Sequence, residues 1–528
     1  MYIVSNIKIS LDCSNPIDEI AKKLKIAKED ILKFKYYKKA IDSRDKENVF
    51  FLCHFLVEVK EHIKNKMLRC KDVKKYIPYH LDIPNINSED EVYVIGAGPA
   101  GLFASYILAL SGIKVTIVER GSKVEKRIQD VKEFFTTGKL NENSNMQYGE
   151  GGAGTFSDGK LTTNINDERI EFIKETFIKF GATEDIYYLS KPHIGSDILI
   201  NVIQNFRKEL LKLGVKFLFD TTLVDIKESN ETLKEIVLLD NNTQQTSIRA
   251  CKYLVLATGH SARNIFYMLD EHGVTLQRKP FSIGVRIEHK QEEINKSQYG
   301  EKFYKHPALP SADYKLAVHL DNGRSLYTFC MCPGGMVVAS SSEKDSIVTN
   351  GMSYYKRDLE NANSALLVNV LDSDLDDGLF AGIDFQEKYE REAYSFSNSY
   401  RAPCQLYKDL VDNKASSTYI GIRPSYLPGV YFGNLRECLP EFLIDTLIKG
   451  LPLLGRKIKG FDCADALLIA PETRSSSPIR IVRDEKYQTN IKGIFPCGEG
   501  SGYSSGITTS ALDGIRVATK LIDVITNS

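Results

Sequence analysis

The apolar positions change period several times along the chain, and each change marks an element. Residues 2–11 alternate apolar and polar with period two, as a half-buried strand does. Residues 16–25 switch to helical spacing through Ile17, Ile20, Ala21 and Leu24, with Ser14 or Asn15 as the cap. Residues 31–41 and 48–59 read as two strands joined by the polar stretch 42–47, and residues 60–69 as a helix. Periodicity then fades over residues 77–90, where Pro78, Pro84 and several Asn and Asp residues predict a linker.

The longest apolar stretch is 92–118, but Gly96, Gly98, Pro99, Gly101, Ser111, Gly112 and Lys114 interrupt it. A β-branched run (92–95), a helix-period run (102–111) and a second strand-like run (114–118) follow one another within it. It therefore reads as a buried strand–helix–strand and not as a membrane span. Further on, 315–320 and 325–332 are alternating runs around Asp321-Asn322-Gly323, the turn chemistry of a tight hairpin. From Phe461 onward the strand–glycine–helix pattern returns.

At 528 residues the chain is too long for one ordinary core. The pattern predicts a small α+β domain over 1–85, a nucleotide-binding domain whose first part is 90–278, an inserted mixed α+β domain over 279–460 that caps the substrate site, and a return to the nucleotide domain over 461–528. The fold class is α/β, built on a Rossmann-like dinucleotide domain.

The turn Gly96-Ala97-Gly98-Pro99-Ala100-Gly101 carries the clearest chemistry. It follows a strand and opens a helix, the context a glycine fingerprint needs. Gly96 permits the sharp turn, Gly98 lets backbone approach a pyrophosphate, and Gly101 lets the helix pack on the strand. Pro99 and Ala100 start a helix whose free N–H groups and positive dipole end suit phosphate. The second strand ends at Glu119, followed by Arg120. A carboxylate at Glu119 accepts from a ribose 2′-OH and repels a 2′-phosphate, which argues against NADP there.

Three later segments favour FAD over NAD. Residues 253–259 form a buried strand ending in Ala257-Thr258-Gly259, which in flavoproteins passes close to the dinucleotide. Residues 493–500 bring a short strand to Gly498 and Glu499, which resembles the flavoprotein element whose acid binds a ribityl hydroxyl. Gly506-Ile507-Thr508 then opens a helix whose N-terminus would point at the flavin's pyrimidine carbonyl and stabilise charge on the reduced ring. Two sequence-distant glycine elements sharing one ligand is an FAD pattern.

Further segments are specific to one group: GEGGAGTFSDGKL (149–161), KPHIG (191–195), FSIGVRIEH (281–289), YTFCMCPGG (327–335), NGM (350–352), PETRSSSP (471–478) and PCGEGSG (496–502). Together they resemble a widespread bacterial family of uncharacterised FAD-dependent dehydrogenases. That resemblance implies a glutathione-reductase-like FAD domain, a second domain inserted in it, and a small N-terminal α+β domain. It implies FAD far better than it implies a reaction.

The expected activity is hydride transfer between flavin N5 and an unidentified small substrate, with an anionic group as one option. FAD does the redox chemistry while the protein positions the substrate and excludes water. The loop Gly151-Gly152-Ala153-Gly154 is expected along the flavin, and Lys160 beyond it as a cation for ring, phosphate or substrate. His193 is the candidate proton-transfer group. Arg286, inside an apolar run, needs an anionic partner, either Glu288 or a substrate carboxylate. Arg474 is expected to hold an anion or to pair with Glu472. Cys330 and Cys332, two apart in an expected strand, point to one face and default to core packing. No second glycine fingerprint is present, so the electron donor is the substrate itself, another protein, or NAD(P)H binding transiently.

The ten cysteines are scattered and contain no CxxC, so neither a disulfide scaffold nor a metal site is expected. With no basic region followed by an apolar run at MYIVSNIKIS, a reducing cytoplasm is the expected location. Net charge is zero, which gives no global pull toward nucleic acid or membrane. The first 80 residues are nevertheless about +7, with Phe34, Tyr36 and Tyr37 among the lysines. A solvated basic face is the expectation, and neither a membrane nor a nucleic acid is an expected partner. Two alternatives remain: an RNA-linked flavoprotein that docks through this domain, and a flavin carrier without turnover.

Overall fold

The computed structural model describes residues 1–86 and 88–527. The first residues form a four-stranded antiparallel sheet in the order Ile31–Asp42, Phe50–Val59, Tyr2–Ser10, Val73–Lys75. Helix Ile17–Leu24 buries Ile20, Ala21 and Leu24 against the sheet's core. The helix expected over 60–69 is reduced to a 3-10 turn, Glu61–Ile63, and one α-turn, Lys64–Met67. The aromatic residues among the lysines are already engaged. Tyr36 stacks on Tyr188 at 5.2 Å and packs on Phe55, while Tyr37 meets Tyr76 edge-on. Ser190 N donates to Lys39 O, and Lys46 reaches the Gln298 carbonyl. This sheet is thus tied to the body of the protein, and these rings offer no free stacking platform for bases. The RNA-docking alternative loses its main structural support.

Five parallel strands form the second sheet, in the order Ile494–Pro496, Tyr253–Leu256, Glu91–Ile95, Lys114–Val118, Lys216–Leu218. The central three are almost wholly buried, as strands covered on both faces should be. Helix Pro99–Leu110 leaves the first of them and packs along helix Ile507–Thr526, which buries Ala511, Leu512, Ile515, Ala518 and Leu521. A three-stranded antiparallel meander, Thr221–Glu228, Leu233–Asp240 and Thr246–Ala250, rises from the same body. The architecture is a mixed α/β protein with a Rossmann-type dinucleotide fold.

The third sheet has seven strands: Ala317–His319, Ser325–Cys332, Asn361–Asn369, Ser282–Lys290, Leu467–Glu472, Ala402–Leu406 and Val430–Phe432. The Asn-Gly hairpin is present, with Ala317 opposite Tyr327 and His319 opposite Ser325. Helix Glu441–Gly455 covers one face with Leu443, Ile444, Leu447, Leu451 and Leu454. Strand Leu467–Glu472, expected to open the returning nucleotide segment, lies inside this sheet between Ser282–Lys290 and Ala402–Leu406. A buried apolar strand carries no label for which sheet it joins; only register decides. Past it, Ile479–Ile481 pairs with Leu276–Arg278, so the chain leaves and re-enters the parallel-sheet body side by side. Among the described residues no helix is long and apolar enough to cross a membrane.

Candidate functional site

A cavity of about 370 Å³ opens where the parallel sheet meets the seven-stranded sheet. From the parallel-sheet body come Gly96, Gly98, Pro99, Ala100, Glu119, Arg120, Thr258 and Gly259. The glycine loop supplies Gly152, Ala153, Gly154 and Lys160, and the C-terminal segment supplies Glu499, Gly506, Ile507 and Thr508. From the far side come Phe329, Cys330, Asn350, Glu472, Arg474 and Ser475. Helices Pro99–Leu110 and Ile507–Thr526 both begin on its wall, so two sets of unpaired N–H groups and two positive dipole ends face one space.

Gly101, Gly151 and Gly498 do not line this cavity; they stand behind its wall. A Cβ at Gly101 would lie 1.9 Å from the Gly96 carbonyl oxygen, so its contribution is close helix–strand packing. A Cβ at Gly498 would press on Ala100, at 2.7 Å. Gly151 N donates to Ala97 O at 2.8 Å, tying the glycine loop to the fingerprint turn. Gly152, at φ +65°, would place a Cβ 3.0 Å from Gly98 Cα, so bare backbone there keeps the two turns together.

Glu119 is 5% exposed. It accepts from the N–H groups of Ala97 (2.8 Å), Gly121 (2.9 Å) and Gly149 (2.9 Å). A carboxylate has about four acceptor positions, so one stays open for a hydroxyl. Arg127 was not legible in the sequence. It is fully buried, and its guanidinium donates to the carbonyls of Asn145, Met146, Gly149, Glu150 and Gly152. Burial draws its pKa down to about 10, against the pull of Glu119 and Glu150. One cation thus gathers the carbonyls of 145–152 inward and shapes the loop that faces the dinucleotide turn. Nothing in the local pattern of helix Val124–Thr137 marks it.

The expected substrate arginines are engaged by protein. Arg286 is completely buried and bidentate to Glu472, not to Glu288. Its other N–H groups go to Cys330 O (2.9 Å), Asn363 Oδ1 (3.2 Å) and Asn350 Oδ1 (2.7 Å). All five guanidinium donors are taken, so no substrate carboxylate can be held there. Glu288 instead receives hydrogen bonds from Ser425 and Asn361. Arg474 borders the cavity but pairs with Glu390 (2.9 and 2.6 Å) and not with Glu472. Glu390, fully buried, also takes Arg263 and the Thr473 hydroxyl. Burial disfavours its charge, but Arg263 and Arg474 outweigh burial and hold its pKa at about 2. The strand ends at Glu472, so Arg474 lies beyond it and is not held to strand alternation; the two side chains take partners 186 and 84 residues away in sequence.

His193 is not on the cavity wall. Its Nε2–H donates to Tyr355 O at 2.9 Å and its ring stacks on Tyr355. Burial, then Arg357, lowers its pKa, so it is neutral at pH 7. It forms a bridge with Lys160 and so braces the strand segment that carries that lysine. Lys160 does border the cavity. Its Nζ is 3.5 Å from Asp158 Oδ2, while Asp158 is bound bidentately by Arg357. The Nζ is buried without a hydrogen-bond partner, as are both ring nitrogens of His260, another wall residue. Buried polar atoms left without partners mark where a ligand belongs. With the two helix starts and the glycine cradle, they suit an elongated, phosphate-bearing, hydroxyl-rich molecule such as FAD.

Fold and site define a flavoprotein. The chain matches the family models "FAD binding domain" over residues 89–129 and "FAD-dependent protein, C-terminal domain-like" over 280–475, with a domain of unknown function matched over 1–58. It is 42% identical to an uncharacterised protein of Clostridium beijerinckii over 98% of both chains. It belongs to the family of that protein, a family of FAD-dependent proteins, and its cofactor is FAD. A thiamine thiazole synthase of Pyrococcus furiosus is 24% identical over 36% of this chain and 65% of that one. Among solved structures, a flavoprotein/dehydrogenase from Cytophaga hutchinsonii aligns over 83% of this chain and 79% of its own, at 12% identity and a TM-score of 0.39.

Proposed function

We propose that the protein is an FAD-dependent oxidoreductase that exchanges a hydride between flavin N5 and a small substrate bound between the parallel and seven-stranded sheets. Its FAD domain is of the glutathione-reductase-like kind, in two parts around an insert that runs from about residue 279 to the end of strand Leu467–Glu472, behind a separate N-terminal α+β domain. FAD, when bound, accepts and returns two electrons. Glu119, the 96–101 turn, the 152–154 loop and the segment around Glu499 and Gly506–Thr508 hold it. Arg286 and Arg474 keep their carboxylate partners and act as the frame of the wall. Lys160 is a wall cation placed to orient an anionic group of the substrate or the ring.

The observation that carries this reading is the Lys160 Nζ, buried on the cavity wall with no hydrogen-bond partner. The test is anaerobic mixing of the FAD-loaded protein with small 2-hydroxy and 2-amino acids, NADH and NADPH while flavin absorbance is followed. Bleaching by at least one donor is expected. Lys160→Ala should raise the half-saturating concentration of an anionic donor by about tenfold, the scale of one hydrogen bond to a charged group. Flavin that dithionite reduces but no organic donor does would refute the hydride reading. An unchanged response of K160A to an anionic donor would refute the assignment of Lys160.

A further inference from the structure

Cys330 and Cys332 do not sit as two residues of a regular strand. Strand Ser325–Cys332 pairs regularly with Asn361–Asn369 up to Phe329 opposite Ala365, then resumes at Cys332 opposite Asn363. One extra residue is therefore accommodated on the cysteine side. Cys330 takes up the change with φ +43°, a left-handed conformation rare outside glycine and asparagine. Alternation would hold the two Cα atoms near 6.6 Å apart, at the long end of what a disulfide spans. The bulge breaks that regular spacing, and the Cys332 thiol turns back to donate to the Cys330 carbonyl oxygen at 3.4 Å, which keeps the two residues in direct contact. Both are free thiols.

Their surroundings are those of a reactive pair and not of core cysteines. Cys330 is on the cavity wall beside Lys160 and Asn350, whereas Cys332 is completely buried behind it. Arg286 Nη1 donates to the Cys330 carbonyl at 2.9 Å, and a Cβ built on Gly351 would touch both that Nη1 (2.6 Å) and Cys332 Sγ (3.0 Å). Two cations thus flank the pair, Lys160 toward the cavity and Arg286 behind. The Cys332 hydrogen bond, then Lys160 and Arg286, hold the Cys330 thiol well below its usual range, while the Cys332 thiol is pushed up. Thiolates are the nucleophilic form, and a depressed cysteine beside a protonated partner is how dithiol couples are poised. Cys53, Cys251, Cys438 and Cys463 are instead pushed up, with burial the largest cause at each; at Cys53 it outweighs the pull of Lys39.

We propose that Cys330 and Cys332 are a redox-active dithiol–disulfide couple in the cavity wall that exchanges two electrons with the bound FAD. In the oxidising direction the Cys330 thiolate and the Cys332 thiol lose two electrons and one proton, and one S–S bond forms between them. The electrons and one proton pass to the flavin; in reverse, the reduced flavin opens the disulfide. The cofactor is the only co-reactant the step requires. The inference rests on the FAD-oxidoreductase reading above and adds to it a second electron store next to the flavin, with Cys330 as the sulfur facing the cavity.

The test uses the full-length, FAD-loaded protein. After equilibration in buffers of increasing oxidised-to-reduced dithiothreitol ratio, free thiols are alkylated and the chain is cut with trypsin. The peptide 325–344 carries both cysteines and no others. It should shift cooperatively and reversibly to a form two hydrogens lighter and unalkylated, while the other eight cysteines stay alkylated. Reductive titration with dithionite should consume twice as many electrons per FAD in the oxidised wild type as in C332S. A peptide that stays doubly alkylated in every buffer, or a wild type that consumes no more than C332S, overturns the inference while leaving the flavin reading intact. Failure to retain or reduce FAD at all overturns that earlier reading instead. The peptide measurement needs no variant, so a C332S chain that fails to fold leaves the proposal open to refutation.

Discussion

Replacing Glu390 by glutamine separates the charge of one carboxylate from its shape. Glu390 lies on helix Ala381–Ser395, fully buried, and binds Arg263, Arg474 and the Thr473 hydroxyl at once. Its pKa of about 2 lies some 2.5 units below the ordinary glutamate value of 4.5. At about 1.4 kcal/mol per unit, this is about 3 kcal/mol of folded-state stability. The sign follows from the depressed pKa: the contribution is present above pH 4.5 and is lost as pH falls toward 2. Glutamine keeps the volume but leaves two guanidiniums facing one neutral amide. The cost of orphaning a buried charge is about 3–5 kcal/mol, and Glu343, still in contact with both arginines, keeps it near the lower figure. Urea unfolding followed by far-ultraviolet circular dichroism should therefore give E390Q a stability about 3 kcal/mol below wild type at pH 7. The gap should narrow steadily below pH 4.5. Equal midpoints at pH 7, or a gap that does not shrink in acid, would show that Glu390 is not the ionised clamp described.

Glu119→Gln removes an acceptor that three backbone N–H groups share and turns an amide donor toward them; FAD affinity measured by equilibrium dialysis should fall about tenfold to a hundredfold, and undiminished affinity would remove Glu119 from the site. Arg127→Lys keeps the charge but replaces five fixed donors by three rotatable ones; part of the 145–152 carbonyl set then loses its partner, and the chain should purify with much less than one FAD per protein by absorbance. Full flavin occupancy in R127K would show that the loop holds its shape without the guanidinium.

Elements whose signal is local were legible. The Gly96–Gly101 turn, the strand–helix–strand around it and the Asn-Gly hairpin each need only a few neighbouring residues to declare themselves. The pairs that finish the site were not, because they join distant segments: Arg286 with Glu472, Arg474 with Glu390, Arg127 with the carbonyls of 145–152. Such partners follow from strand register and helix facing, which composition does not encode. The Pro-His-Ile-Gly context makes His193 the proton-transfer candidate, but its ring turns to the Tyr355 carbonyl, off the cavity wall. The cysteine pair departs from the expected strand geometry. Regular alternation placed both thiols on one face, and a single bulge with Cys330 at positive φ, which no local pattern announces, replaces that geometry.

The pairing of Leu276–Arg278 with Ile479–Ile481 also bears on the chain-entropy cost of closing the parallel sheet. Strand Ile494–Pro496 must find Tyr253–Leu256 across roughly 240 residues, and closing a flexible loop of that length costs about 5 kcal/mol in chain entropy. If the seven-stranded sheet and the Leu276–Arg278/Ile479–Ile481 pair form first, the effective loop shrinks to roughly 30 residues and its closure cost falls to about 3 kcal/mol. The wall carrying Glu499 and Gly506 is then the last part of the flavin site to arrive. A ligand touching both that wall and the Gly96 turn acts as a fastener between the earliest and latest pieces of the fold. The FAD-free chain should accordingly lose the 494–526 segment first, while the seven-stranded sheet stays folded.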